Sequence, residues 1–332
     1  MMSIFNFFGS VLGYLLWFLY TVFKNYGIAI ILFTIIVKAL MFPFSIKSQK
    51  SMAAQSRLAS KQQELQKKYA NDKEKLNQKS AELYRKEGIN PMSGCLPMLV
   101  SMVILFIMFA AMRTVANTEM ASQALGLLTT GTQTNESWLW IKNIWMPDSP
   151  FNPVIADSAN LRIIPADIWA KVFASLDPAS VTALAQYGID AATISGETVF
   201  AALQTLPVYA EETQLWTVMP QLNLLIVNLS IYAHNNGWFI LPILAAVTQY
   251  LMTLSQPQPA ADPNNPAAST NKFMKYFFPL FSLWVCSSYN AIFALYWVVS
   301  NVFAWVQGLV MNKMFEKMDE NQVETAGEGT LK

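Results

Sequence analysis

The chain has 332 residues, 54% of them hydrophobic and only 13% charged, with a mean hydropathy of +0.31 and a net charge of +1. This balance excludes a soluble enzyme and marks an integral membrane protein. Two cysteines and a single histidine, His234, give no metal-site spacing. No Gly-rich phosphate loop, nucleophile elbow or paired-carboxylate motif is present, so no cofactor, metal or catalytic residue is read from the chain.

Residues 3–23 are almost wholly apolar and aromatic. They read as an uncleaved signal anchor, an interfacial helix or a spanning helix, and Lys24-Asn25-Tyr26-Gly27 breaks the pattern. Residues 27–46, GIAIILFTIIVKALMFPFSI, are long enough to span a bilayer, which takes roughly 20 apolar residues. Lys38 sits near the middle of this stretch. A lysine at that depth costs about 2.5–3.5 kcal/mol on insertion scales, so water or a polar cavity must reach it. Thr34, Lys38, Phe42 and Ser45 share one helical face, which points to a polar groove with Lys38 as its charge. The competing reading is a lysine that snorkels to the interface.

Pro43 predicts a kink near the exit of this span. Residues 47–90 then carry eleven Lys/Arg against five Asp/Glu, and the positive-inside rule places them in the cytoplasm. A sparse apolar stripe (Leu58, Leu65, Tyr69, Leu76, Leu83, Tyr84) predicts a two-helix hairpin. Asn71-Asp72 would cap its second arm and Gly88 would stop it. Its basic face reads as solvated surface, as attraction to anionic lipid, or as a dock for a ribosome or targeting partner.

Residues 95–116 form the next predicted span, with Ser101 its only mid-span hydroxyl and a methionine stripe on one side that reads as core packing or as a client surface. Residues 113–237 carry four Lys/Arg against ten Asp/Glu and are expected outside. Cys95 and Cys286 then fall near opposite membrane faces, which argues against a disulfide. Within the long external segment, the aromatic run from Trp138 to Pro153 suits a membrane interface. Residues 165–206 predict two to four short helices, with Asp177-Pro178 at one start and Gly188 at a stop. Residues 222–231 look too short and polar to span. Spans follow at 238–254, from the Lys272/Lys275 pair to about Cys286, and at 291–311, with an irregular Pro- and Asn-rich loop over 255–271. In the last span Tyr296, Ser300 and Gln307 share one face, with Trp297, Asn301 and Gly308 beside it. These polar residues face either other helices or the groove. The tail from Lys313 is short and polar.

Four blocks, in this order and spacing, resemble the YidC/Oxa/Alb family of membrane-protein insertases. They are NYGIAIILFTIIVKALMFPFSIKSQKSM (25–52), YANDKEKLNQKSAELYRKEGINPMSGCLPML (69–99), WFILPILAAVTQYLM (238–252) and ALYWVVSN (294–301). The resemblance covers about residues 3–317 apart from 153–236, in a form without the large external domain. It implies an all-α membrane fold: five core transmembrane helices around a hydrophilic groove, an N-terminal interfacial or spanning helix, and a cytoplasmic helical hairpin. The implied divisions are 1–24, 25–116 with the hairpin 47–90, an external segment 117–237 with a small helical cap, 238–312, and a tail 313–332.

In that resemblance Lys38 stands where the groove cation, usually an arginine, stands. Lysine keeps the charge and loses the planar fork. Thr34 matches a groove residue, Ser101 stands where some members carry glutamine, and Tyr296 and Trp297 match an aromatic pair that faces clients. With Asn301 and Gln307 they form the expected client-binding groove. The implied function is insertion and chaperoning of nascent membrane proteins at the bacterial plasma membrane, without nucleotide or cofactor. Implied partners are those clients, membrane lipids, the ribosome, targeting machinery and a Sec-type translocon, with no nucleic acid beyond ribosomal contact. A folding chaperone without insertion activity is the alternative. A small-solute transporter would show inverted repeats or broken helices, and a membrane enzyme a nucleophile or metal cluster; the sequence has neither.

Overall fold

A computed structural model describes residues 2–88, 96–217, 222–224, 227–256 and 266–329. The architecture is that of an all-α membrane protein. Helix α1 (Met2–Phe23) ends at Lys24, whose φ of 50° leaves helical space, as the polar break predicts. Asn25 Oδ1 accepts the Ile28 N–H at 3.0 Å and starts α2 (Tyr26–Lys68).

The 43-residue α2 joins the predicted span to the predicted hairpin. It continues through Pro43 as one helix, so the first arm of the hairpin is the same helix as the span. Pro43 lacks only one donor, and full helical turns on both sides hold the backbone. Chain reversal comes at residues 69–72, and α3 (Lys73–Lys86) forms the second arm. Asp72 caps it by accepting Lys75 N–H at 3.0 Å, as predicted, and Gly88 lies just beyond its end at φ 65°. Lys61–Glu87 at 2.7 Å and Gln62–Ser80 at 3.0 Å tie the arms together. The neighbouring ammonium of Lys61 holds the Glu87 carboxyl below its ordinary range. Leu58 is buried, whereas α3 buries no residue.

Helix α4 (Leu96–Thr130) outruns the predicted span by fourteen residues. Nothing between 117 and 130 breaks a helix, and Met120, Ala121, Ala124, Leu125 and Leu128 give it a buried face. Cys95 lies outside the described residues, and Cys286 is a buried free thiol. Five short helices follow: α5 (Ser158–Arg162), α6 (Ala166–Ala174), α7 (Pro178–Ala185), α8 (Gly196–Leu203) and α9 (Pro207–Glu212). Three of them fall in the stretch predicted to hold two to four. Asp177 accepts from Ala179 and Ser180 N–H with Pro178 at the first helical position, and Ser195 with Thr198 forms a capping box on α8. Trp169, Leu161, Leu184, Val199 and Leu203 form the core of this cap. The apolar run after it is not helical. It holds two short antiparallel strands, β1 (Leu222–Leu224) and β2 (Val227–Leu229), in register Leu222↔Leu229. Alternating Leu and Asn suit a strand's period of two.

The remaining helices are α10 (Ile240–Ser255), α11 (Pro266–Ser288) and α12 (Ala291–Gly329). The predicted irregular loop is helical from Pro266, which fits a first helical position; its residues 257–265 lie outside the described ones. The polar tail continues α12. Its backbone stays helical to Gly329, because Lys, Glu, Met and Gln sustain a helix until the glycines at 327 and 329. Among the described residues, Tyr26–Lys50 of α2 and Ala291–Met314 of α12 are long and apolar enough to cross a membrane; Val11–Phe23 and Ile240–Ser255 are shorter apolar helices.

The chain divides into two compact units. One comprises Met1–Phe33, Phe106–Leu244 and Leu283–Trp297; the other comprises Thr34–Leu105, Ala245–Ser282 and Val298–Lys332.

Candidate functional site

The second unit carries an unusual load of buried polar side chains inside apolar helices. Thr34 of α2, Thr248, Gln249 and Ser255 of α10, Ser282 of α11, and Ser300, Asn301 and Gln307 of α12 are all buried. Their mutual hydrogen bonds are long. Asn301 Nδ2 donates to the Ala245 carbonyl at 3.5 Å and to Thr248 Oγ1 at 3.4 Å, and Ser282 Oγ donates to Gln249 Oε1 at 3.5 Å. Ser300 Oγ is buried with no hydrogen-bond partner among the described residues. A hydroxyl or amide so poorly paired in an apolar setting is a destabilising feature unless something else uses it.

Lys38 is half-buried on α2, and among the described residues no carboxylate lies within ion-pairing reach of it. Thr34, one turn before it, is fully buried. Ser45, predicted on the same face, donates its hydroxyl back to the Met41 carbonyl at 3.1 Å, so its polarity is satisfied within its own helix. An apolar cleft of about 380 Å³ opens between α2 and α12, lined by Ile35, Phe42, Val299, Val302, Phe303, Val306, Gln307 and Val310. Gln307 is thus both a predicted site residue and the one amide in an otherwise apolar lining; Lys38 is not part of it.

Tyr296 and Trp297 belong to the first unit. Both pack near Phe293, at ring-centroid distances of 6.4 and 5.6 Å, and Trp297 Nε1 is buried without an acceptor among the described residues. The predicted residues therefore fall as Thr34, Lys38, Asn301 and Gln307 in one unit and Tyr296 and Trp297 in the other. The side chain of Ser101 lies outside the described residues.

Sequence reasoning missed a second polar construction, which lies wholly in the first unit. Asp148 is fully buried and accepts three bonds: Trp238 N–H at 2.9 Å, Leu241 N–H at 2.6 Å and Trp140 Nε1–H at 3.1 Å. Leu241 N–H is one of the orphan amides at the start of α10, and Trp238 N–H lies just ahead of it, where the helix dipole favours a negative charge. Gly237 is required beside it, since a Cβ there would overlap the Asp148 carboxylate. Asn143 and Asn236 exchange bonds at 2.7 and 2.8 Å, and Asn143 Nδ2 also reaches Gln123 Oε1 at 2.8 Å and the Val154 carbonyl at 2.9 Å. The carbonyls of Ile144 and Met146 accept Ile292 and Ala291 N–H, at 3.1 and 2.9 Å, and so satisfy the start of α12. Nearby, Tyr26 Oη donates to Glu119 at 3.2 Å and Tyr20 Oη to Glu136 at 3.1 Å, with the two phenol rings stacked at 3.8 Å. Burial raises the Glu119 carboxyl above its ordinary value; the Tyr26 hydroxyl pulls it back and the charge of Glu136 raises it further. The only sequence signal for the network was an acidic residue, Asp148, inside an aromatic run.

Comparison with known proteins identifies the lineage. The family model for the 60Kd inner membrane protein matches residues 18–319. A Fusobacterium nucleatum protein named "Membrane protein insertase YidC" is 45% identical over 89 residues, covering 27% of this chain and 43% of its own. One of the same name from Caldanaerobacter subterraneus is 42% identical over 103 residues, covering 31% of this chain and 50% of its own. Another, from Campylobacter jejuni, is 25% identical over 310 residues, covering 93% of this chain and 38% of its own. The chain thus spans half or less of the length of these relatives. With a family model matched along nearly its whole length, the chain belongs to the YidC/Oxa family of 60Kd inner membrane proteins.

Proposed function

We propose that this chain is a membrane protein insertase and chaperone of the bacterial plasma membrane, a multi-pass protein that moves nascent membrane proteins into the bilayer without hydrolysing nucleotide. The observation that carries the reading is the pair of buried, loosely bonded or unbonded polar side chains in the apolar helix α12 of the second unit, Asn301 and Ser300. A client that carries a polar segment across hydrocarbon needs polar partners at depth. In the second unit the client-binding groove would comprise Lys38, Thr34, Ser101, Asn301 and Gln307. Lys38 would hold acidic client residues transiently, since a contact pair at an effective dielectric of about 20 is worth about 4 kcal/mol before desolvation. Transfer of the client's apolar helix from water to lipid then supplies the driving force. The α2–α3 hairpin, basic and exposed, would receive the client, the ribosome or a targeting partner, and a Sec-type translocon is a further expected neighbour. The family resemblance and the insertase names of the relatives support the same reading.

The apolar cleft between α2 and α12 favours a second reading, a folding chaperone that cradles an apolar client helix without inserting it. Replacing a depleted insertase in cells with the wild-type chain, Lys38→Ala or Lys38→Arg distinguishes the two. Protease accessibility of a client's acidic N-terminal tail is the readout. The groove-charge reading expects translocation with the wild type and Lys38→Arg and its loss with Lys38→Ala. Equal translocation by all three removes the charge from the mechanism, and no translocation by any of them, with normal folding of pre-inserted clients, leaves the chaperone.

A further inference from the structure

The turn at residues 138–141 places a large apolar residue where its backbone disfavours one. Trp138 and Ile141 exchange both backbone hydrogen bonds at 2.9 Å, which makes Leu139-Trp140 a two-residue hairpin loop. Leu139 takes the first central position at φ 51°. Turns with a positive φ at that position favour glycine, because a Cβ is crowded there. Leu139 recovers little burial from the protein in exchange, since it is 73% exposed. A strained backbone that presents an unburied apolar side chain calls for a surface outside the chain.

The position of the turn says which surface. The Trp138 ring lies against Gly27, at the start of α2, so closely that a Cβ on Gly27 would overlap it. Asp148 bonds the start of α10 through Trp238 and Leu241, and the carbonyls of Ile144 and Met146 bond the start of α12. Residues 138–148 therefore connect the beginnings of three apolar helices, two of which are long enough to cross a membrane. Three span ends meeting one loop define the plane where hydrocarbon gives way to water. A second large apolar residue stands exposed at that plane: Trp238, 58% exposed, two residues before α10. Leucine and tryptophan at a helix boundary are the residue types that seat at the headgroup–acyl boundary. The basic α2–α3 hairpin assigns this end of the spans to the outer leaflet.

We propose that Leu139 and Trp238 form an interfacial anchor, seated in the outer leaflet of the bilayer and held rigidly by the Asp148 network. The anchor sets the height of the spans against the membrane. It does not rest on the insertase reading, because it requires only that the helices span.

The test uses the full chain in vesicles of phosphatidylethanolamine and phosphatidylglycerol. A nitroxide is attached to Leu139→Cys, Trp238→Cys or Ile163→Cys, each in a Cys95→Ser, Cys286→Ala background. Ile163 is a control, equally exposed at 55% but placed between α5 and α6 of the cap. Collision with oxygen, which partitions into lipid, is compared with collision with a water-soluble nickel chelate. The anchor expects several-fold higher oxygen-to-nickel ratios at 139 and 238 than at 163, at a depth of roughly 5–10 Å below the headgroups. Equal ratios at all three positions overturn it. Protection from both reagents that disappears on dilution to one protein per vesicle also overturns it and assigns the surface to a second copy. Leu139→Gly suits the turn's backbone and so keeps the fold. In that background the label at 238 is expected to shift toward nickel, and an unchanged ratio removes Leu139 from the anchor.

Discussion

Two buried polar clusters, one in each unit, differ in how tightly they are bonded. In the first, Asp148, Asn143 and Asn236 are buried, and the bonds accepted by the Asp148 carboxylate and donated by the Asn143 and Asn236 side-chain amides lie between 2.6 and 3.1 Å. In the second, the buried amide of Asn301 makes bonds of 3.4 and 3.5 Å, the Ser282–Gln249 contact is 3.5 Å, and Ser300 Oγ has no partner among the described residues. Short, convergent bonds satisfy each group and leave one arrangement, so the first network determines shape. Long bonds leave capacity unspent. Asn301 and Ser300 therefore contribute little to the folding of the second unit, which is what side chains that exchange partners require.

The largest expected effect comes from breaking the first network. Asp148→Ala removes the acceptor of three donors at once, two of them main-chain amides at or just before a helix start. A loss of about 3 kcal/mol or more is expected, read as a fall in the thermal unfolding midpoint in detergent. Asp148→Asn should recover part of it, because one oxygen still accepts.

The same experiment on the second unit sharpens the contrast. Asn301→Leu gives up only long bonds, so stability should change by less than about 1 kcal/mol in either direction, while client insertion declines. A stability loss as large as that of Asp148→Ala would place Asn301 among the structural residues and remove the distinction between the units.

The smallest effect concerns protons. The Glu119 carboxyl is raised above its ordinary value of 4.5, so the folded state favours its protonated form. That contribution is fully present below the ordinary value and is lost as pH rises through the raised one. The unfolding midpoint should therefore drift downward across that window. Glu119→Gln, which can still accept from Tyr26, should flatten the drift; an unaltered slope would show that Glu119 is not its source.

Much of the local structure was legible in the residues. Asp72, Asp177 and Gly88 announced their caps and stops because a capping oxygen or a positive φ needs only near neighbours. The buried polar residues of the last span were also visible, since Ser300, Asn301 and Gln307 interrupt an apolar run. Helix lengths were not. The extents of α2, α4 and α12 depended on what failed to stop them, and neither Pro43 nor the polar tail did. Ser45 shows a related limit: its place on the Lys38 face followed from helical spacing, but its hydroxyl turned to its own helix.

The sequence by itself determined that this is a membrane protein of helical spans with a charge at Lys38, a basic hairpin and a helical cap. Those properties follow from hydropathy, charge and capping chemistry, which act over a few residues at a time. Only the tertiary structure decided that Asp148 serves α10 across 90 residues and that Ile144 and Met146 serve α12. Only the tertiary structure showed Leu139 held at a positive φ with most of its surface exposed. Orphan amides at a helix start accept any oxygen brought to them, and nothing in the local sequence names the one that folding delivers.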